Sequence, residues 1–389
     1  MDLFQRILAV IRRELRIIRQ RPVYIVGSVG VIAFCSLFFL SFLQKGLPDD
    51  IPIGIVDYDN TSTSRNFFQQ LDATQIGQSV PYETFAQARE DMTRGKISAV
   101  CVLPEGLNSD IQANRQPKIT FYINGLYFVG GSLAWKDLLQ MVNLTSGAVQ
   151  RQVLRMKGYN DAQIMGMIRP VDIDTHQIGN PDTNYSFLLS GMLIPAVIAM
   201  CVMMILIYSL GAELKFGTSR HLLMTSGGSM GAAVGGKVIL WTTVFSATGF
   251  LVILLLYHWL GFPIAGSVWN MFLAMFLLIT STEAVAILIL EMIPIPRLAL
   301  SVGALFSVLN MSLAGFTLPT EAMPRFIKAF ESMFPLRHYY LFYSKEVVFG
   351  TGFAGWWKEV VAFMIFYFLP LLGIRRLKNA CINQNFPKD

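Results

Sequence analysis

Charge is scarce in this chain: only 14% of its 389 residues are Asp, Glu, Lys or Arg, against 53% hydrophobic, where a soluble domain carries about 25% charged residues. That shortage excludes an ordinary water-soluble fold and implies a large surface facing lipid. Cysteine is scarce too. Four are too few for a disulfide framework, Cys35 and Cys201 lie in apolar runs, Cys381 in a basic tail, and no pair has metal-ligand spacing. The four histidines, His176, His221, His258 and His338, fall in separate segments with no triad or ligand spacing beside them, so they read as loop or interface residues. No stacking aromatics interleave with a basic stripe, which argues against nucleic acid as a partner.

What the chain has instead is long uncharged runs. Pro22 to Gln44 is the first, and about 20 apolar helical residues suffice to cross a bilayer core of about 30 Å. Six arginines precede it, and no small-residue cleavage pattern follows it, so it reads as a retained anchor. Residues 183–212, 238–282, 298–320 and 360–374 are the later runs, bounded by charges. The second of these is long enough for two helices, near 237–257 and 268–292, with His258, Gly261, Pro263 and Gly266 supplying the turn. Trp356, Trp357, Arg375 and Arg376 would anchor the short last run at its two interfaces.

Ahead of the first run, residues 1–21 carry Leu3, Phe4, Ile7, Leu8, Ile11, Leu15 and Ile18 on one side of a 3.6-residue period and Arg6, Arg12, Arg13 and Arg16 on the other. That is the pattern of an interfacial amphipathic helix.

Net charge is +6, yet residues 45–184 hold 12 basic against 15 acidic side chains, so the basic excess sits in the membrane part. With six spans both termini share a face, and the N-terminal arginines, Lys215, Arg220, Lys237, Arg297 and the Arg375–Lys378 cluster all fall on it. By the positive-inside rule that face is cytoplasmic, and segment 45–184 lies outside. Strand-like Ile51–Val56, Ile97–Leu103 and Ile119–Ile123 alternate there with helical stretches: Thr84 caps one, Gly95 ends it, and a longer one runs from Gly131 to Lys157. The expected fold is therefore membrane α-helical: six transmembrane helices, an N-terminal interfacial helix (1–21), a first span (22–44), a small α/β extracytoplasmic domain (45–184) inserted between the first and second spans, a five-helix remainder (185–378) and a cytoplasmic tail (379–389).

Gly231 to Lys237 matches GxxxxGK, but no strand precedes it and no Ser or Thr follows the lysine. A Gly-rich helix start with an interfacial lysine is the preferred reading. Asp57 and Asp59 read as turn and cap chemistry. Glu283 differs, since an ionised carboxylate in mid-span costs at least about 2.5 kcal/mol on insertion scales. It is either a polar contact along a substrate route or a gating hydrogen bond, or else a neutral or lipid-edge glutamate in a span whose true bounds differ.

One segment, Glu213-Leu-Lys-Phe-Gly217-Thr218-Ser-Arg220-His-Leu222-Leu223, resembles the E-x-x-x-G-T-x-x-x-L-L stretch of type-2 ABC exporter permeases. A second, Gly315-Phe-Thr-Leu-Pro319 with Met323-Pro324 and Pro335-Leu-Arg337, is similar to that family's helix end and re-entrant hairpin. Segment 45–184 resembles the extracytoplasmic domain of the drug- and lipid-export branch, in Val56-Asp57-x-Asp59-Asn60 and Leu103-Pro104-x-Gly106. The likeness departs at Ala212, where a basic residue is usual, and at Thr225-Ser226, where Thr-Pro is common.

The resemblance implies a permease subunit in a bacterial inner membrane, moving an amphipathic or hydrophobic substrate outward. Glu213, Gly217, Thr218, Arg220, Leu222 and Leu223 would then belong to a coupling helix (213–226). Gly315, Pro319, Met323, Pro324 and Pro335 would belong to a re-entrant gate (319–336). It implies no catalytic site, cofactor or metal on this chain: ATP and Mg would bind two copies of a separate ABC ATPase, beside a second permease copy or paralogue and membrane lipid. An outer domain of this size is compatible with docking a periplasmic adaptor. The competing class is a membrane-anchored sensor or scaffold whose outer domain binds a ligand. It would need a cytoplasmic output domain, whereas the longest inside segment is Glu213 to Lys237.

Overall fold

A computed structural model describes residues 2–44, 46, 50–74, 77–113, 115–126, 128–169, 176, 178–180, 184–316 and 323–383. The chain divides into two units, 1–44 with 177–389, and 45–176.

In the first unit, α1 (Leu3–Gln20) stops at Arg21 and Pro22 opens α2 (Pro22–Phe42), since proline is tolerated at a first helical turn but not inside a helix. The face of α1 that packs differs from its most apolar stripe: Val10 and Glu14 are buried, while Leu3, Phe4 and Leu15 are exposed. The helix thus turns Leu3 and Leu15 outward and a carboxylate inward. A π-helical turn at Val26–Gly30 interrupts α2. There a Cβ on Gly27 would come within 2.8 Å of the Ile205 side chain, so glycine permits the close approach.

The second unit is a four-stranded sheet, order β2-β1-β3-β4, built from β1 (Ile51–Asp57), α3 (Ser62–Asp72), β2 (Gly77–Tyr82), α4 (Phe85–Thr93), β3 (Ala99–Leu103), α5 (Leu107–Gln112), β4 (Thr120–Ile123), α6 (Phe128–Met156) and α7 (Asp161–Ile168). β1 pairs in parallel with β2 and β3, and β4 runs antiparallel to β3. Ile53, Ile55, Ala99 and Cys101 pack on one face with Phe67, Leu71 and Leu138 of α3 and α6, while Val56, Val100 and Ile97 pack on the other with Ala88 of α4. Burial on both faces explains the unbroken apolar runs of β1 and β3.

Thr84 accepts from the Gln87 N–H and Gly95 follows the helix end at φ +76°, so α4 is bracketed as expected. α6 begins three residues before the expected Gly131, and Gly158 at φ +87° follows its end. β2 was not foreseen. Its sequence Gly-Gln-Ser-Val-Pro-Tyr lacks strand propensity, and it survives at the sheet edge, where only one side of the strand is paired and proline is tolerated.

The first unit resumes with α8 (Tyr185–Lys215), α9 (Ser219–Thr225), α10 (Met230–Trp259), α11 (Val268–Met292), α12 (Pro296–Ser312), α13 (Arg325–Glu331), α14 (Pro335–Tyr343, continued as a π turn to Val348), α15 (Phe353–Phe366) and α16 (Ile374–Asn383). α8 packs against α2, α10, α11 and α12, and most of its side chains are buried. It is the core of the bundle.

Among the described residues, five stretches are long and apolar enough to cross a membrane: Pro22–Phe42, Tyr185–Lys215, Met230–Trp259, Val268–Met292 and Phe353–Asn383. The other expected span, 298–320, is seen as α12, 17 residues and about 25 Å long to Ser312. The last stretch is broken between Phe366 and Ile374, around Pro370 and Gly373. Its apolar helix therefore begins seven residues before the expected 360 and takes in both tryptophans. α10 likewise begins at Met230 rather than 237, which places Lys237 well inside the helix.

Candidate functional site

Four ionised side chains from three helices meet where α1 lies on α8 and α10. Glu213, near the end of α8, accepts from Arg13 Nη1 at 2.6 Å and Nη2 at 2.8 Å, a two-pronged pair. Its Oε1 also receives Lys237 Nζ at 3.0 Å, and the Thr218 hydroxyl donates to Oε2. Glu14 Oε1 lies 2.9 Å from both Arg13 Nη1 and Lys237 Nζ. Lys237 further donates to the Ser209 carbonyl at 3.0 Å.

Two cations and two carboxylates cancel, which is what allows Lys237 and Glu14 to be 1% exposed and Glu213 4%. Burial disfavours Arg13's charge, yet hydrogen bonding and the field of Glu213 and Glu14 outweigh it and hold its pKa above the ordinary value.

Lys237 is thus no interfacial lysine, and the Gly231–Lys237 stretch is helix. The glycines serve packing: a Cβ on Gly236 would lie 2.7 Å from Val10 Cβ and 3.2 Å from the Ile7 carbonyl, so only glycine lets α1 seat on α10.

The segment after Glu213 is anchored on several sides. Gly217 takes φ +66°, a conformation suited to glycine. Thr218, expected as an accepting N-cap, makes no side-chain cap bond and donates to Glu213 instead. Ser219 Oγ donates to the Cys381 carbonyl at 2.9 Å, and Arg220 donates to the Ile382 carbonyl at 3.2 and 3.3 Å; both acceptors are on α16.

Leu222 and Leu223, expected to offer the apolar contact, are 1% and 8% exposed and belong to this chain's own core. A seven-residue helix lying against its own bundle must spend its leucines there. On its open side Met224 is 72% exposed, and Phe216, which caps the end of α8, is 51% exposed, with the latter under Arg21, whose guanidinium carbon is 4.5 Å from the ring centroid.

Glu283 sits within α11 and is 1% exposed, so it faces the bundle interior. It accepts from the Thr242 hydroxyl of α10 on Oε2, and Oε1 has no hydrogen-bond partner among the described residues. Glu283→Gln is expected to unfold at the wild-type midpoint in lipid, and Glu283→Leu to lose on the order of 1 kcal/mol, the scale of an interhelical bond in a membrane. Equal midpoints would mean that the carboxyl holds no such bond.

At the hairpin, Gly315 adopts φ +94°, Met323 precedes Pro324 at the start of α13, and Pro335 opens α14; Pro319 lies outside the described residues. α14 is almost wholly buried and continues well past the expected 336. Its Leu336 N–H donates to Asn310 Oδ1 at 3.0 Å, Arg337 donates to the Ala314 carbonyl at 3.2 Å, and Arg337 lies 3.4 Å from Glu331.

His338, read from the sequence as a loop or interface residue, is a buried contact. Its ring nitrogens lie 3.0 Å from Glu359 and from the Ser332 carbonyl, and Lys345 donates to Glu359 at 2.8 Å.

Sequence reasoning thus missed Arg13, Glu14 and Lys237 as one cluster with Glu213. The available signal was Glu14, the only acidic residue in an arginine-rich helix and spaced four from Val10.

A family model described as ABC-2 family transporter protein matches residues 23–374. The chain is also similar to the inner membrane transport permease YhhJ of Escherichia coli (strain K12) and to the protein of the same name from Shigella flexneri. Each is 23% identical over 348 residues, covering 88% of this chain and 89% of the relative.

Proposed function

The chain belongs to the ABC-2 family of transporter proteins, and from that membership we propose that it is the transmembrane permease subunit of an ATP-driven exporter. The substrate is an amphipathic or hydrophobic molecule taken from the cytoplasm or inner leaflet, and a separate subunit hydrolyses the ATP. Two copies, or this chain with a paralogue, would form the path above two ABC ATPase subunits, with six spans in each copy, both termini cytoplasmic and the 45–184 segment outside.

The observation that carries this reading is the convergence on Glu213. Its carboxylate ties the end of α8 to Thr218 at the head of α9, to Arg13 of α1 and to Lys237 of α10. A push on the open side of α9 therefore reaches three longer helices through buried, charge-assisted bonds, with no slack side chain between. Glu213, Gly217, Thr218 and Arg220 form the rigid seat, Leu222 and Leu223 hold α9 to the bundle, and Met224 with Phe216 makes the contact to the ATPase. Gly315, Pro319, Met323, Pro324 and Pro335 shape the hairpin that gates release.

Met224→Asp is expected to weaken ATPase binding by roughly thirtyfold, the loss of one apolar anchor worth about 2 kcal/mol, with membrane insertion unchanged. Leu222→Ala should instead lower stability. Stimulated hydrolysis in a reconstituted complex, beside unfolding of the permease alone, separates the two. Full stimulation with Met224→Asp would remove α9 as the coupling element, and failure to co-purify with any soluble ATPase would favour the sensor or scaffold.

A further inference from the structure

The sheet unit contains a cavity of about 730 Å³, inside the roughly 300–1,000 Å³ range of small-molecule sites. It opens between α5, β4 and α6, and all of its lining comes from the 45–176 unit. Phe67 and Leu107, 4% and 3% exposed, form the floor and belong to the core beneath the sheet. Val142, Val149 and Val153 line one wall as a half-buried stripe along α6, at spacings that put them on one helix face.

The opposite rim carries Arg115 and Lys118, both exposed, on the stretch between α5 and β4. Among the described residues that line the cavity, none is a carboxylate. Asp110 stands nearby, 3.6 Å from Arg115, so among the described residues the rim has two cations and one partly engaged anion, a net of one positive charge. An apolar floor with that rim suits a molecule with a long tail and one negative charge. It suits neither an ammonium head, which the rim repels, nor a doubly charged phosphate monoester, for which one net charge is too few.

We propose that this cavity binds a long-chain carboxylate, its tail on the Phe67 and Leu107 floor against the α6 stripe and its head between Arg115 and Lys118. The site belongs to the sheet unit alone and stands whether or not the chain exports anything.

The test uses the full chain in phosphatidylcholine nanodiscs with a diazirine-bearing palmitic acid, photolysed and mapped by peptide mass spectrometry. Adducts are expected in segments 107–121 and 142–154, displaced by palmitate. Hexadecanol should displace them at least about tenfold less well, the scale of one charge-assisted hydrogen bond. Val149→Trp, which fills the cavity, should abolish those adducts. Lys118→Glu, an exposed change away from the core, should reduce them about tenfold at an unchanged unfolding midpoint. Adducts confined to the apolar helices, equal displacement by the alcohol, or undiminished labelling of folded Val149→Trp or Lys118→Glu would each overturn the proposal.

Discussion

Lys237→Met is expected to cost about 3–5 kcal/mol of stability in lipid, the range for breaking a buried ion pair by removing one partner. Lys237 is 1% exposed and lies within 3.0 Å of both Glu14 and Glu213. Methionine fills much of the volume but leaves two buried carboxylates facing Arg13 alone. The isolated charge, not the lost bond, dominates the cost.

That account makes a second demand: Lys237→Met combined with Glu14→Gln restores neutrality and should recover at least about half of the loss. Denaturant or thermal unfolding of nanodisc-embedded protein reads both. A wild-type midpoint for the single variant would mean that the cluster does not hold α1 to α8 and α10. Additive losses in the double variant would mean that charge balance is not the reason.

The second large effect is expected at Glu346, in the π turn that continues α14. It is 1% exposed and takes three donors: the Ser267 N–H and Asn270 Nδ2, each at 2.7 Å on Oε1, and Trp356 Nε1 at 2.9 Å on Oε2. It therefore pins the loop before α11 and the start of α15 to the hairpin. A Cβ on Gly266 would collide with Glu346 Oε1, so the loop backbone rests directly on the carboxylate.

Glu346→Leu strands all three donors, the Trp356 N–H buried and those of Ser267 and Asn270 half-buried; at about 1 kcal/mol for each, the low end of the cost of an orphaned donor, the loss should reach about 3 kcal/mol. Glu346→Gln keeps one acceptor oxygen and should fall between. Unfolding midpoints, with proteolysis at the loop containing Gly261 and Gly266, check this. A neutral Glu346→Leu would show that the loop is held by packing alone.

Much of this was legible in the residue order. The α4 bracket by Thr84 and Gly95, the end of α6 at Gly158 and the Val268–Met292 helix follow from caps, φ > 0 glycines and apolar runs, all of which act within a turn or two of chain. Misjudged boundaries have local causes as well. From the sequence alone α10 starts at Lys237, because a lysine normally ends an apolar run, and here its charge is neutralised inside the bundle. β2 was hidden because a sheet edge tolerates residues that a central strand would reject.

Leu222, Leu223 and His338 mark the other kind of miss. Their types and spacing are the same whether they face a partner protein, water or their own bundle; only the packing of α9 against α16 and of α14 against α15 assigns them inward.

By itself, then, the amino-acid order determined that the chain crosses a membrane, roughly where, and that a folded α/β segment follows the first apolar helix, because hydropathy, period and capping are sums over neighbouring residues. What only the tertiary structure decided is which charges cancel. Arg13 and Glu213 are 200 positions apart and Lys237 another 24, and no local sum records that they share one dry site. A buried ion is tolerable only beside its counter-ion, so the three helices had to be brought together before their charges could be read as one device.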